Sequence, residues 1–410
     1  MAPDAPDRRT AMLGNTFGRM FRISTCGESY GEALLTIVDG VPPGMTLDLA
    51  HIQAELDKRR PGQSKLDSPR LETDQVKAVA GLLEGVTTGA PVGLVVYNVD
   101  RQKIHVDQYR DVKDLIRPGH AEYTFFVKYG PHADWCGAGR ASGRETVGRV
   151  AGGAVAKQIL AREGVEVLAH VVESHGIRAR HLTFEEVREN YRKNHLNCCD
   201  LDAAKKMIAD ILKVREEGDT VGGAIEIIVR GVPAGLGEPV FDKLRATIAH
   251  AILSIGAVTG LEFGGGFKAA AMKGSEWNDP PYLDKNGHVR FKTNWAGGFL
   301  GGISSGEELR MRISVKPTPT ISKKQASINM ATMQESELAA ITRRDITICP
   351  RIYPVTEAMV AAAVLDAMYM AYGYDYFARL DQKWKRIGEP TAKSDPAAIL
   401  ELAHRKPAGA

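Results

Sequence analysis

Long apolar runs are missing from this 410-residue chain. No stretch reaches the roughly 18 residues that a transmembrane helix needs, so none is expected. The polar start, Met1 to Thr10, lacks a signal-peptide core and reads as a loose tail. Charge of one sign is scarce too: 53 Lys and Arg against 50 Asp and Glu leave a formal net charge of +3. Nothing global therefore points to nucleic acid, and any basic chemistry must be local. The cysteines, Cys26, Cys136, Cys198, Cys199 and Cys349, are odd in number and scattered. They lack a Cys-x-x-Cys pair and the spacing of a zinc site, so they read as free thiols of a reducing cytoplasm, with no metal expected. Also absent are a Gly/Ser linker that would cut the chain, a P-loop ending, a dinucleotide fingerprint and a regular βαβ alternation.

What is present is an approximate internal duplication. Ala33 to Gly44 reads ALLTIVDGVPPG and Ala224 to Gly235 reads AIEIIVRGVPAG, each a β-rich run halted by turn residues. A helical pattern follows each. Asp48 can cap the first, with Leu49, Ile52 and Leu56 on one face up to Pro61-Gly62; Asp242 can cap the second, with Leu244, Ile248, Ile252 and Ile255. After Glu145, Val147, Val150, Ala151, Ala154 and Val155 recur at helical spacing. Gly148, Gly152 and Gly153 weaken that helix and predict close approach of another element. Thr356 to Met368 is apolar nearly all round, as a helix sandwiched between layers would be. Val92–Tyr97 and Leu309–Val315 read as strands. The expected fold is α+β, with helices packed between sheets. Residues 13–378 would form one domain of two related halves, flanked by the tail and by an extension over residues 379–410 with a short terminal helix.

The chemistry concentrates in a few basic segments. Gly139 to Thr146 reads GRASGRET: Ser142 stands three residues before Glu145, as in a capping box, among Gly139, Arg140, Gly143 and Arg144. Free amides, the helix dipole and two guanidiniums would make an anion-binding mouth there. RPGHAEYT, from Arg117, puts His120 on a Pro-Gly turn, where an imidazole can exchange a proton near neutral pH. Lys58 to Lys65 reads KRRPGQSK, Gly297 to Gly306 is glycine-rich, Lys316 to Thr320 reads KPTPT, and Asp345 follows Arg343 and Arg344.

Together these pieces resemble the chorismate synthase family from about Gly14 to Met368. GNTFGRMFRISTCGES, VDGVPPGM, RRPGQSK, RPGHAEYT, GRASGRET, GVPAGLGEPVFDKL, AGGFLGGISSG, KPTPT and the Arg343 segment ending VTEAM occur in the family's order. Any one is weak, but the ordered set is very specific. The resemblance implies a β-α-β sandwich and a homotetramer. It also implies a reduced-FMN-dependent 1,4-anti elimination of phosphate from 5-enolpyruvylshikimate 3-phosphate, giving chorismate for aromatic amino-acid biosynthesis. By motif, Arg140, Ala141, Ser142, Gly256, Ala257, Gly301, Lys316, Pro317, Thr318, Pro319, Thr320 and Arg343 would contact FMN. Arg59, Lys65, Arg117 and Arg144, and more weakly Arg60, would grip the substrate's anionic groups. His120 would handle a proton on the reduced ring, and Asp345 would assist proton removal through the flavin.

Several positions depart from the family pattern. The family's GESHG appears as Gly27-Glu28-Ser29-Tyr30-Gly31, so a neutral phenol replaces the histidine expected to meet the leaving phosphate. Arg344 replaces a histidine beside Asp345 and Trp295 another in Asn-His-Ala-Gly-Gly, while Ala141, Gly143 and Gly256 stand for Ser, Ala and Asn. Tyr30 and Arg344 would share the leaving-group role. Two other readings remain: a paralog that keeps reduced FMN but acts on another enolpyruvyl or phosphate substrate, and a non-catalytic flavin-binding protein. Retention of His120 and Asp345 argues against the last. The tail after about Tyr376 is too short and polar for a reductase domain, so a separate flavin reductase is expected.

Overall fold

The computed structural model describes residues 14–68, 70, 72–100, 103–340, 344–374 and 392–407. Arg343, the N-terminal tail and Trp384 lie outside the described residues. Two antiparallel five-stranded sheets enclose a layer of helices. In the first sheet the strands lie in the order Thr16–Phe17, Arg22–Cys26, Ala33–Asp39, Val92–Tyr97 and Val76–Ala80. In the second they run Val258–Phe263, Leu309–Val315, Gly223–Arg230, Glu166–Ser174 and Ile177–Arg178. The two Val-Pro units of the sequence thus hold the same place: each strand is the middle one of its sheet.

Side-chain alternation shows which faces meet the helices. In Ala33–Asp39, Leu34, Thr36 and Val38 point inward while Leu35 and Ile37 are exposed. Glu166 to Val171 are buried without alternation, because the Leu201–Glu216 helix packs on that sheet from outside. The Thr146–Arg162 helix touches both sheets and crosses the Cys349–Tyr372 helix. The latter is long and apolar enough to cross a membrane, but most of its apolar stretch is buried within the fold.

Three glycines allow this approach. A Cβ on Gly148 or Gly152 would lie 2.7 or 2.8 Å from side-chain atoms of Thr25 or Ile23 in the first sheet. One on Gly153 would meet Ala358 at 2.3 Å, backbone included, so neither helix can yield by a rotamer change. Gly153→Val is expected to cost about 1–3 kcal/mol or more through overpacking, read as a lower midpoint in chemical denaturation. A midpoint unchanged from wild type would mean that the two helices part without penalty.

Local signals explain most boundaries and two errors. Asp48 caps Leu49–Arg59 by accepting from Ala50 N at 2.8 Å and His51 N at 3.0 Å. Asp242, expected to do the same, does not. The helix Leu244–Leu253 starts from Lys243 without a side-chain cap, and Asp242 instead pairs with Arg19 at 2.6 Å. The predicted Thr356–Met368 helix is longer, because Cys349–Tyr372 carries Pro350 in its first turn and tolerates Pro354 inside. A first-turn proline loses no helical hydrogen bond, and Pro354 forgoes only one.

Between the helices lies a buried set of balanced charges. Lys157 Nζ donates to Glu55 at 2.9 Å and Glu357 at 2.5 Å, Lys58 Nζ to Glu55 at 2.7 Å, and the Tyr191 hydroxyl to Glu357 at 2.8 Å. Lys58 is thereby pinned inward, and its neighbour Arg59 is turned towards a cavity. The short helix Pro396–Ala403 packs beside them on Leu49–Arg59 and Thr146–Arg162. None of the cysteines is paired.

Candidate active site

A cavity of about 580 Å³ is lined by Tyr30, Arg59, Arg70, Glu72, Tyr109, Arg117, His120, Ser142, Arg144, Thr318, Pro319, Thr320, Arg344, Asp345 and Arg351, among others. Distant segments meet there through a few ties. The Lys316 ammonium donates to Gly119 O at 2.6 Å, and Arg117 Nη1 donates to Thr320 Oγ1 at 3.1 Å, so the KPTPT turn clamps the loop that carries His120. Thr318 Oγ1 donates to the Asp345 carbonyl at 2.7 Å.

His120 Nδ1 lies 2.9 Å from Glu122 Oε2, and Glu122 also accepts from Arg117 Nε at 3.1 Å. Burial would raise the Glu122 carboxyl, but the His120 imidazole close beside it and the Arg117 charge outweigh it and hold it at about 2. The carboxylate therefore stays charged at neutrality beside the imidazole. Asp345 accepts from Ser68 N at 2.9 Å and from Arg351 Nη1 at 2.6 Å. Neighbouring Asp67 is raised to about 6 by burial and by the Asp345 charge, with Arg351 pulling the other way.

Arg59 and Arg144 meet on one carboxylate. Asp74 accepts from Arg59 Nη2 at 2.6 Å through Oδ2 and from Arg144 Nη1 through Oδ1. Arg144 Nε also donates to Asn98 at 2.7 Å, and Arg59 Nη1 to Gly143 O at 3.2 Å. Burial works to raise the Asp74 carboxyl, and the two arginines overcome it and hold it at about 2. Arg59 Nε and Arg144 Nη2 are buried with no hydrogen-bond partner.

Tyr30 packs edge-on against Tyr109, ring centroids 5.4 Å apart, with the Arg70 guanidinium 5.4 Å from its own centroid. Gly137 makes room for it: a Cβ there would sit 2.7 Å from the Tyr30 ring.

Of the residues named from sequence, the cavity gathers Tyr30, Arg59, Arg117, His120, Ser142, Arg144, Thr318, Pro319, Thr320 and Asp345. Lys65, Arg60, Arg140, Ala141, Gly256, Ala257, Gly301, Lys316 and Pro317 do not line it. Arg60 faces a small neighbouring cleft with Asp67 and Arg351. The expected mouth at Gly139–Thr146 differs in two respects. Arg140 is spent on the end of the Arg22–Cys26 strand, donating to Thr25 Oγ1 at 2.8 Å and Gly27 O at 3.1 Å. The capping box is half made: Ser142 Oγ accepts from Arg144 N at 3.2 Å, but Glu145 turns away to Arg149 at 2.9 Å. A tight 3₁₀ turn over Gly143–Glu145 precedes the α-helix and moves Glu145 out of reach of the cap. Trp295 stacks on Trp277 outside the cavity. Arg70, Glu72, Asp74, Asn98 and Arg351 were not singled out from sequence. The signal for three of them is a charge at every second residue of Arg70-Leu71-Glu72-Thr73-Asp74.

Comparison with known proteins agrees with this geometry. The family model described as chorismate synthase matches residues 21–369. A curated relative named chorismate synthase from Acetivibrio thermocellus is 55% identical over 394 residues, covering 92% of this chain and 100% of the relative. One of the same name from Methanosarcina barkeri is 50% identical over 357 residues, covering 87% and 96%. The solved structure titled "Crystal Structure of Chorismate Synthase" superposes with a TM-score of 0.69 at 26% identity, covering 89% of this chain and 96% of that one. With the matched fold and a basic cavity that joins its ordered motifs, the chain belongs to the chorismate synthase family.

Proposed function

We propose that this cavity is where the chain eliminates phosphate from 5-enolpyruvylshikimate 3-phosphate, the reaction that makes it a carbon–oxygen lyase of the shikimate pathway. The observation that carries the assignment is the pair of buried guanidiniums, Arg59 and Arg144, each with one nitrogen lacking a hydrogen bond, although Glu72 Oε2 lies 3.4 Å from Arg144 Nη2. A buried, unanswered donor costs about 1–3 kcal/mol, more when charged. An anionic substrate with one phosphate and two carboxylates relieves that cost.

The family's flavin fits what is present. The volume of about 580 Å³ is of cofactor size, and Ser142 and Thr318 offer hydroxyls beside Pro319 and Thr320. These residues would hold reduced FMN, with Arg140, Ala141, Gly256, Ala257, Gly301, Lys316, Pro317 and Arg343 as the further contacts implied by motif. When bound, the reduced ring supplies electron density that helps phosphate leave, with no net redox change. The chain supplies orientation and charge. Arg59, Arg144 and Arg117 bind anionic groups, with Lys65 and Arg60 at the periphery. His120, whose Nδ1 faces Glu122, presents Nε2 to receive or return a proton. Asp345 assists proton removal.

Tyr30 donates its phenolic hydrogen to the departing phosphate. Tyr30→Phe is expected to lower kcat by about 10–10²-fold, below the about 10²–10³ of a dedicated oxyanion donor because the arginines remain. An unchanged rate would strike the hydroxyl from the mechanism. Purified protein with chemically reduced FMN, kept anaerobic, should release phosphate and form chorismate. Intact flavin binding without turnover would overturn the assignment and favour the paralog reading. We further propose a cytoplasmic homotetramer of two-halved subunits, fed by a separate flavin reductase. Light scattering tests the assembly, and turnover with chemically reduced flavin but not with oxidised FMN plus a reduced nicotinamide nucleotide tests the need for a reductase.

A further inference from the structure

We propose that Arg70, Glu72 and Asp74 form a positioning device, in which Glu72 and Asp74 hold Arg144 and Arg59 at the spacing the substrate's anionic groups require. The inference rests on the reading of Arg59 and Arg144 as substrate-binding residues. Its basis is a ladder of alternating charge along one wall of the cavity. Arg70 Nη2 donates to Glu72 Oε1 at 2.7 Å, and Glu72 Oε2 lies 3.4 Å from Arg144 Nη2. Arg144 and Arg59 then share Asp74. The Arg59 carbonyl accepts from Arg351 Nε at 3.3 Å, and Arg351 pairs with Asp345. Glu72 and Asp74 each sit between two cations, so moving one rung moves its neighbours.

Asp74 is the central rung. It is fully buried, and a φ of 47° puts its backbone in the left-handed region. Strain of that kind persists only where the surroundings over-determine it, and it gathers at sites that must hold a fixed geometry. The arrangement also has an electrostatic purpose. Two guanidiniums brought together without a shared counter-charge would repel, and an empty cavity would capture any small anion. Asp74 keeps them paired and tempers that attraction, while Arg59 Nε has no hydrogen-bond partner and Arg144 Nη2 has only the looser ion pair with Glu72.

Two substitutions separate charge from position. Asp74→Asn removes the charge while keeping a side chain that tolerates the left-handed backbone. Its kcat should fall by about 10²-fold, as a misplacement near 1 Å can do. Inorganic phosphate, assayed as a competitive inhibitor, should bind about tenfold more tightly, since the paired guanidiniums lose their counter-ion. Asp74→Glu keeps the charge and moves it by one methylene, so kcat should fall by a similar factor with phosphate inhibition unchanged. A merely structural role would lower the folded fraction and leave the KM and the phosphate inhibition constant of the active molecules as in wild type. That result, or a kcat within threefold of wild type in both variants, would overturn the proposal. If Asp74→Asn fails to fold in anion-free buffer, recovery of its native circular dichroism by inorganic phosphate supports the proposal. No recovery, together with an unaltered kcat in Asp74→Glu, counts against it. Wild-type protein inactive in the same assay would instead defeat the substrate-site reading.

Discussion

His120→Ala is expected to lower kcat by about 10²–10⁴-fold while leaving the protein folded, the range for loss of a positioned acid or base. The imidazole is not part of the core. It is carried by the Arg117–Gly119 turn, and its backbone N donates to Arg117 O at 3.1 Å, so truncation leaves the loop's own hydrogen bond in place. What is lost is a proton-carrying group whose orientation depends on Glu122. The sign of that coupling follows from the depressed carboxyl. Glu122 is charged at any pH well above about 2, and its stabilising contribution is present above the ordinary glutamate range and lost only as pH falls through about 2. Between about pH 5 and 9 its charge is therefore constant. A limb in the wild-type rate profile within that window that vanishes in the alanine variant belongs to His120. Anaerobic single-turnover release of phosphate is the measurement, and a loss smaller than tenfold would remove His120 from the chemistry.

The sequence makes some of this site legible and hides the rest for identifiable reasons. Turn and cap chemistry is local, so the Asp48 cap, the Pro-Gly loop before His120 and the Val92–Tyr97 strand are readable where they stand. The crowding at Gly148, Gly152 and Gly153 is readable as well, because glycine within a helix needs a packing reason. Partner choice is not local. Arg140 and Arg144 occupy the same motif and look equivalent in sequence; only the fold sends one to the Arg22–Cys26 strand and the other to Asp74. Asp74 itself is an acidic residue in a segment without apolar periodicity, and nothing nearby announces that two arginines, one ending a helix and one in a 3₁₀ turn, will share it. The departures from the family pattern likewise differ in kind once placed. Tyr30 and Arg344 line the cavity, whereas Trp295 lies outside it and stacks on Trp277.

Asp345→Asn is expected to be as severe, with kcat reduced by about 10²–10⁴-fold, and it carries a second signature that a simple loss of activity would not. The carboxylate is held by Ser68 N and Arg351, and its backbone carbonyl is held by Thr318. Asparagine keeps an acceptor for one of these donors but turns an amide towards the other, or the reverse, so the guanidinium of Arg351 loses its counter-charge. The change also reaches Asp67. Its carboxyl stands at about 6 through burial and the Asp345 charge, so removing that charge should bring it down towards the ordinary range. A raised carboxyl favours the folded state below its unfolded value near 4, and that contribution is lost as pH rises through about 6. The stability of the wild type should therefore carry a falling component from about pH 4 to 6, and Asp345→Asn should flatten it. Urea denaturation across that range reads the slope, and anaerobic turnover reads the rate. An unchanged slope would mean that the two carboxylates do not sense one another. An unchanged rate would mean that the proton leaves by a route that Asp345 does not serve.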